Sequence, residues 1–273
     1  MIRGVLEPRT TSPLPRVRDY MSYSAISTYQ SCPLKYFFRY VAGLPEKTVS
    51  SSLVFGGAIH RAVEHHFNEL MAGNDAPTTE ALLGEYDAAW SEYEPQSIRF
   101  GKEERREDLQ PLALRVLSAF QANPFSTPEG TILGVEEELR DAVIAGCPDV
   151  LGRVDLIVES VDAVTITDLK TSRSRWSQEQ VHESAPQLFL YHELVKSFSP
   201  RKRIRLQFAV LTKMKEPTID LHEVPASAQQ IDRSKRVVEK VWRAIESESF
   251  YPAPSPMNCG GCSFREPCRR WTG

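Results

Sequence analysis

Two aspartates and a lysine near the middle of the chain have the types and spacing to do chemistry. Asp155 lies in GRVDLIVES, and Asp168 and Lys170 lie in AVTITDLKT, two short β-branched segments with almost nothing between them. Such segments read as strands, and the minimal connection reads as an antiparallel hairpin turning near Ser160 to Ala163. With the turn centred between Val161 and Asp162, opposing residues sum to 323, which pairs Asp155 with Asp168, Ile157 with Ile166 and Arg153 with Lys170. Side chains alternate along a strand, so all six share one face. Like charges directly opposed are destabilising. A divalent cation, Mg²⁺ or Mn²⁺, would cancel the repulsion, with a backbone carbonyl and a nearby histidine available as further donors. A raised carboxyl pKa is the other escape. Lys170 would then place a positive charge beside the ion, where it could stabilise charge developing on a phosphate. The plain alternative is a solvent-facing acid pair with Lys170 as its ion-pair partner; the flanking Val, Leu and Ile runs suit a buried sheet instead. The literal Pro148-Asp149 competes for the first acid, but pairing Asp149 with Asp168 would put the turn inside an apolar run, so Asp155 is preferred.

A second set of residues has metal-ligand character. Cys259, Cys262 and Cys268 form CxxCx₅C, and Cys32 lies 227 residues earlier. Four thiolates suit a zinc ion or an iron–sulfur cluster, and the spacing does not separate the two. Either would clasp the C-terminal tail to the N-terminal helices and close a very long loop. Cys147 has no motif partner and reads as a partly buried thiol.

The elements that must position these groups follow from periodicity. Residues 1–20 read as a flexible leader and 21–273 as a single domain, with a helical insertion over about 75–125. Ser24 is the expected cap of a first helix and Pro33 the start of a second, with Cys32 at their junction. Gly56-Gly57 is expected to lead into a helix carrying His60, with Ile59, Val63, Phe67 and Leu70 as its apolar stripe. Two further helices are expected, over EALLGEYDAAWSEY and from Pro111, joined by a solvated GKEERREDLQ. TILGVEEEL reads as a strand; after the hairpin come a helix through QLFLYHELVKSF, a strand in IRLQFAVLTK and a helix from about Ala226 to Ile245. This order implies an α/β fold, a mixed central sheet flanked by helices.

The 273 residues carry 33 Lys+Arg against 36 Asp+Glu, a net charge of −3, which excludes a histone-like polycation. At 41% hydrophobic residues the composition suits a folded core. The chain has neither a long apolar span nor a secretion signal, so no membrane association is expected, and the cysteine pattern points to a reducing, cytoplasmic compartment. Any polyanion must be bound by local patches: Arg173 and Arg175 after the second hairpin strand, and Arg201, Lys202, Arg203 and Arg205 before the next. Tyr36, Phe37 and Trp176 could stack on bases, although core packing is the commoner use of such residues.

Asp155 with Asp168-Leu169-Lys170 resembles the PD-(D/E)xK nuclease core, its first acid in a GxxD form from Gly152 to Asp155. SYSAISTYQSCPLKYFFRY, FGGAIHRAVE, the pair Gln187 and Tyr191, and CGGCSFREPC extend the resemblance to the RecB-like, AddB-like iron–sulfur branch, similar to CRISPR-associated exonucleases, over about Ser22 to Cys268. The resemblance implies a restriction-endonuclease-like core with a helical N-terminal part and a Cys-rich C-terminal clasp. It implies metal ligation by His60, Asp155, Asp168 and the Leu169 carbonyl, with Lys170 catalytic and Gln187 and Tyr191 supporting the site. Glu136 is implied as a further strand glutamate, with Glu137 and Glu138 its adjacent competitors. The cysteines would hold a [4Fe-4S] cluster, with structural Zn²⁺ as the alternative. The implied activity is metal-dependent exonuclease cleavage of DNA, single-stranded or at ends, in repair, recombination or CRISPR adaptation, with a helicase or integrase-type protein as partner. A catalytically idle DNA-binding or adaptor subunit is the other reading.

Overall fold

Chain order in the computed structural model, which describes residues 18–93, 97–198 and 201–272, begins with β1 (Tyr20–Ser22) and α1 (Tyr23–Ser31). All but the last residues of the expected leader lie outside the described residues, and Tyr20 already belongs to the sheet. Ser22, not Ser24, caps α1: its side chain accepts from the Ala25 N–H, because Tyr23 already turns into the helix. Pro33 opens α2 (Pro33–Tyr36) as expected, and a π-helical turn over Phe37–Val41 follows.

β2 (Thr48–Ser50) leads into α3 (Ser51–Met71), which places Gly56 and Gly57 inside the helix instead of ahead of it. The reason is contact: a Cβ at Gly56 would lie 2.9 Å from Thr171 Oγ1, so the missing side chain lets the helix lie against the hairpin. Ile59, Val63 and Phe67 are fully buried on the expected stripe, and Phe67 meets Phe120 and Phe125 edge to face. α4 (Thr79–Ser91), β3 (Ser97–Arg99) and α5 (Arg106–Gln121) cover the expected insertion, with β3 parallel to β2. α5 starts ahead of Pro111, not at it, because buried Leu109 anchors the preceding turn and outweighs the hydrogen bond that proline removes.

The central sheet holds β4 (Thr131–Asp141), β5 (Asp149–Glu159), β6 (Ala163–Ser172), β7 (Arg203–Thr212) and β8 (Ile219–Glu223) together with β1. α6 (Gln178–Phe198) crosses from β6 to β7, which run parallel; it too starts upstream of a proline, Pro186, held by buried Val181 and Ala185. α7 (Ala228–Glu246) packs on α6, and two short helices, α8 (Pro256–Gly260) and α9 (Arg265–Arg269), carry Cys259 and Cys268, with Cys262 between them. One apolar cluster joins α1, α6 and α7 to one sheet face, and a second joins α3, α4 and α5 to the other. The fold is thus a mixed sheet between helices, as the sequence implied.

β5 is where this architecture forks. β4 pairs along one edge, while the other edge pairs with β1 at Asp149–Leu151 and with β6 at Leu156–Glu159. Residues 152–155 lie between, where β1 has ended and β6 has not yet joined.

Candidate active site

The hairpin register is the expected one. Leu156 opposes Thr167, Ile157 opposes Ile166 and Glu159 opposes Val164, and the turn closes with the Ser160 N–H donating to the Ala163 carbonyl. The ladder stops one rung before Asp155 and Asp168. There the Leu169 N–H donates to Asp155 Oδ2 at 2.5 Å, so a carboxylate takes the backbone donor and the strands part. The extension of direct pairing to Asp155–Asp168 and Arg153–Lys170 is therefore corrected: the register holds only as far as the fork. Asp149 lies away from this point, paired with Tyr20 and bridged to Arg140 at 2.8 Å.

Asp155 and Asp168 are both buried, and desolvation pushes both carboxyls up, with the Asp168 charge adding to the rise at Asp155. Asp168 is held from two sides. Lys170 Nζ lies 2.7 Å from its Oδ2, and Gln187 Nε2 donates to its Oδ1 at 2.7 Å. Lys170 also donates to Gln187 Oε1 at 2.9 Å, and Gln187 Nε2 donates to the Tyr191 hydroxyl at 2.9 Å. Gln187 and Tyr191 share a face of α6 four residues apart, so one helix turn fixes acid, lysine and tyrosine together.

α3 supplies the opposite wall. His60 Nδ1 lies 3.9 Å from Asp155 Oδ1 and 4.0 Å from Glu136 Oε1. Burial pushes the imidazole down to about 4 against the pull of Glu136, leaving it neutral, the form that ligates metals. Among the described residues, donor atoms of His60, Glu136 and Asp155 converge within 4.8 Å of one another. Nitrogen plus carboxylate oxygen suits Mg²⁺ or Mn²⁺, and two buried acids with an adjoining glutamate are an arrangement that a cation relieves. Asp168, in the set implied by the resemblance, stands behind this group in the grip of Lys170 and Gln187. Leu169 stands beside it, its amide on Asp155 and its backbone hydrogen-bonded to His60.

Glu136 is the residue that the sequence left level with its neighbours. Its φ is +52°, a left-handed conformation costing on the order of 1–3 kcal/mol in a non-glycine residue. It interrupts the β4–β5 ladder between Val135↔Leu156 and Glu137↔Val154. The twist turns its carboxylate to His60 on one side and to Arg153 Nε, 2.7 Å away, on the other. No sequence period signals a one-residue twist of this kind.

Gly152 belongs to the same construction. A Cβ there would stand 2.7 Å from Leu194 Cδ1 and 2.8 Å from the Tyr191 ring. Gly152→Ala is expected to cost about 1–3 kcal/mol by overpacking, read as a lower denaturant midpoint; an unchanged midpoint would show that α6 does not need the gap.

Two clefts open onto the site and meet at Arg153 and Lys170. The front cleft, about 810 Å³, is walled by α3 and holds His60, Glu136 and Asp155. The rear cleft, about 570 Å³, lies beside α1 and holds Gln187 and Tyr191. Of the basic residues flanking the strands, Arg175 faces Asp220, Lys202 bridges Glu159 and Arg205 bridges Asp162, so these three are engaged on the surface. Tyr36 is buried, Phe37 packs against Phe250 and Trp271, and Trp176 against Phe208; all three serve the core.

The thiols of Cys32, Cys259, Cys262 and Cys268 line a separate cavity of about 50 Å³ floored by Leu34, Phe38 and Phe264. None is in a disulfide, and the other three raise the Cys268 thiol further above its ordinary value after burial has done so. The Ala253 amide donates to Cys32 Sγ at 3.5 Å. Around them the tail is tied to the N-terminal helices: Leu34 N–H to the Tyr251 carbonyl at 3.0 Å, Tyr29 hydroxyl to the Ser249 carbonyl at 2.7 Å, and Asn258 Nδ2 to the Ser31 carbonyl at 2.7 Å. No helix among the described residues is long and apolar enough to cross a membrane.

A family model described as the PD-(D/E)XK nuclease superfamily matches residues 20–269. A candidate exonuclease from Eubacterium rectale shares the fold at TM-score 0.59 and 14% identity, with 93% of this chain and 89% of that chain covered. SSO0001 aligns over 88% of this chain and 92% of its own at 16% identity, but its TM-score of 0.35 is too low to argue from. No curated protein sequence matches the chain.

Proposed function

The chain belongs to the PD-(D/E)XK nuclease superfamily, whose members are metal-dependent nucleases, and from that premise we propose that it is a DNA exonuclease acting on single strands or strand ends. The observation that carries this reading is the convergence of His60, Glu136 and Asp155 in one cleft, with Lys170 on its seam with the next. His60, Glu136 and Asp155 would hold the ion, with Asp168 and Leu169, the other ligands that the resemblance implies, standing next to that group. When bound, it supplies Lewis-acid polarisation of a phosphoryl oxygen.

The chain's own residues do the rest. Lys170 Nζ, steadied by Asp168 and Gln187, puts a fixed positive charge where the phosphate gains negative charge. Arg153, held by Glu136, flanks the phosphate from the other strand. Tyr191 and Gln187 hold Asp168 and Lys170 in one geometry, so little reorganisation accompanies the reaction. The site sits in the fork of β5 with α3 over one side and α1 and α6 over the other, which favours an unpaired strand over an intact duplex.

The four thiols support assignment to the RecB-like, AddB-like iron–sulfur branch. They line one cavity, and an amide donates to one sulfur, a contact of the kind that tunes iron–sulfur clusters, so a [4Fe-4S] cluster is the favoured occupant and structural zinc the alternative. A role in repair or CRISPR adaptation, with a helicase or integrase-type partner, follows from that branch.

The test is digestion of linear single-stranded DNA, each end labelled in turn, with Mn²⁺ or Mg²⁺, beside closed circular duplex. Loss of label from the linear strand with the circle intact is expected. Cutting of the circle at an equal rate would remove the exonuclease reading, and inactivity on both would favour the idle adaptor.

A further inference from the structure

The rear cleft differs in chemistry from the front one. Glu64, Glu92, Glu136 and Asp155 all line the front cleft, whereas among the described residues no carboxylate lines the rear one. Its charged lining is Arg18, Arg153 and Lys170. Two of these, Arg153 and Lys170, are the residues shared with the front cleft, so the cationic seam is where a phosphate would sit with the metal donors on one side and this chamber on the other. Beyond the seam the wall turns aromatic. Tyr23 comes from α1, Tyr191 from α6 and Tyr20 from β1, and the Arg18 guanidinium lies 5.4 Å from the Tyr20 ring centroid. Ser24 and Ser27, one helix turn apart on α1, add hydroxyls.

A cationic rim, aromatic faces and hydroxyl donors without carboxylates fit an anion that carries a planar ring. The volume, about 570 Å³, is within the ~300–1,000 Å³ range of small-molecule sites. We propose that this chamber binds the terminal nucleotide of the strand, phosphate at the Arg153–Lys170 seam and base against the tyrosines, and that the same chamber holds the released nucleoside monophosphate. The proposal rests on the nuclease reading of the adjoining site and adds what that reading lacks: the chamber limits how much strand passes the seam, so products are mono- and dinucleotides.

Binding and product length test it separately. Deoxyadenosine monophosphate, deoxyadenosine and inorganic phosphate are titrated into the full chain by calorimetry, and products of single-strand digestion are sized. The nucleotide is expected to bind at least about tenfold more tightly than either fragment. Ser27→Trp, which fills the chamber, and Arg18→Gln, an exposed change chosen to leave folding intact, are each expected to weaken nucleotide binding several-fold, with circular dichroism unchanged. Nucleotide affinity unaltered in both variants, or equal affinity for phosphate alone, would overturn the chamber. So would products of many nucleotides, even with hydrolysis intact, which would leave the nuclease reading standing. Nucleotide binding that is lost in the variants of a chain inactive on every DNA would support the chamber while removing the reading it adjoins.

Discussion

Lys170→Ala is expected to slow single-strand hydrolysis about 10²–10³-fold, the range found when one preorganised donor to a developing oxyanion is removed, while leaving Mn²⁺ binding in place. The two effects separate because the Lys170 amine is outside the donor set of His60, Glu136 and Asp155. Its partners are Asp168 at 2.7 Å and Gln187 at 2.9 Å, so its loss removes a charge from the phosphate without touching the donor atoms. The loss should fall on the single-turnover rate more than on DNA affinity, since the charge acts on the transition state. Single-turnover rates beside a calorimetric Mn²⁺ titration check it. Equal rates for variant and parent would take Lys170 out of catalysis, and loss of Mn²⁺ binding would show that the lysine builds the metal site instead.

Cys262→Ser is expected to be the most damaging change for stability. If the four thiols hold one cluster, the bond from Cys32 to the tail closes a loop of more than 220 residues, which in a chain-entropy model stabilises by about 5 kcal/mol. For a chain of this size that corresponds to a Tm lower by roughly 10 °C or more. The direct ties from Leu34, Tyr29 and Asn258 to the tail remain in the variant, so the tail is expected to loosen before the sheet unfolds. Iron content, visible absorbance and a thermal melt check this. Zinc instead of iron in the parent would overturn the cluster, and a Tm equal to the parent's would overturn the clasp.

The β5–β6 hairpin was legible because strand periodicity, a short turn and an opposed-acid argument converge on one register, and Ile157 opposite Ile166 follows from it. The end of that register was not, because it depends on a side chain taking the Leu169 amide. β1 escaped notice since three residues carry no period, yet it forms one arm of the fork. The expected start of α5 falls at Pro111 because proline is read as a first-turn residue, whereas buried Leu109 keeps the upstream turn helical; α6 likewise begins well before QLFLYHELVKSF, held by buried Val181 and Ala185. Gly56 and Gly57 read as the lead-in to a helix, whereas both lie inside it, and the smallness of Gly56 serves contact between helix and hairpin. Gln187 and Tyr191 were singled out by resemblance; their spacing predicted only a shared face, and the hydrogen bonds through Gln187 gave that face its content.

The left-handed backbone at Glu136 sets durability against use. Glycine would rest there without protest and yield a sturdier sheet, yet it would silence one of the two carboxylates that converge beside His60. A lineage pressed only to survive heat would drift toward that glycine, whereas one pressed to keep turning over its substrate would go on tolerating the awkward glutamate.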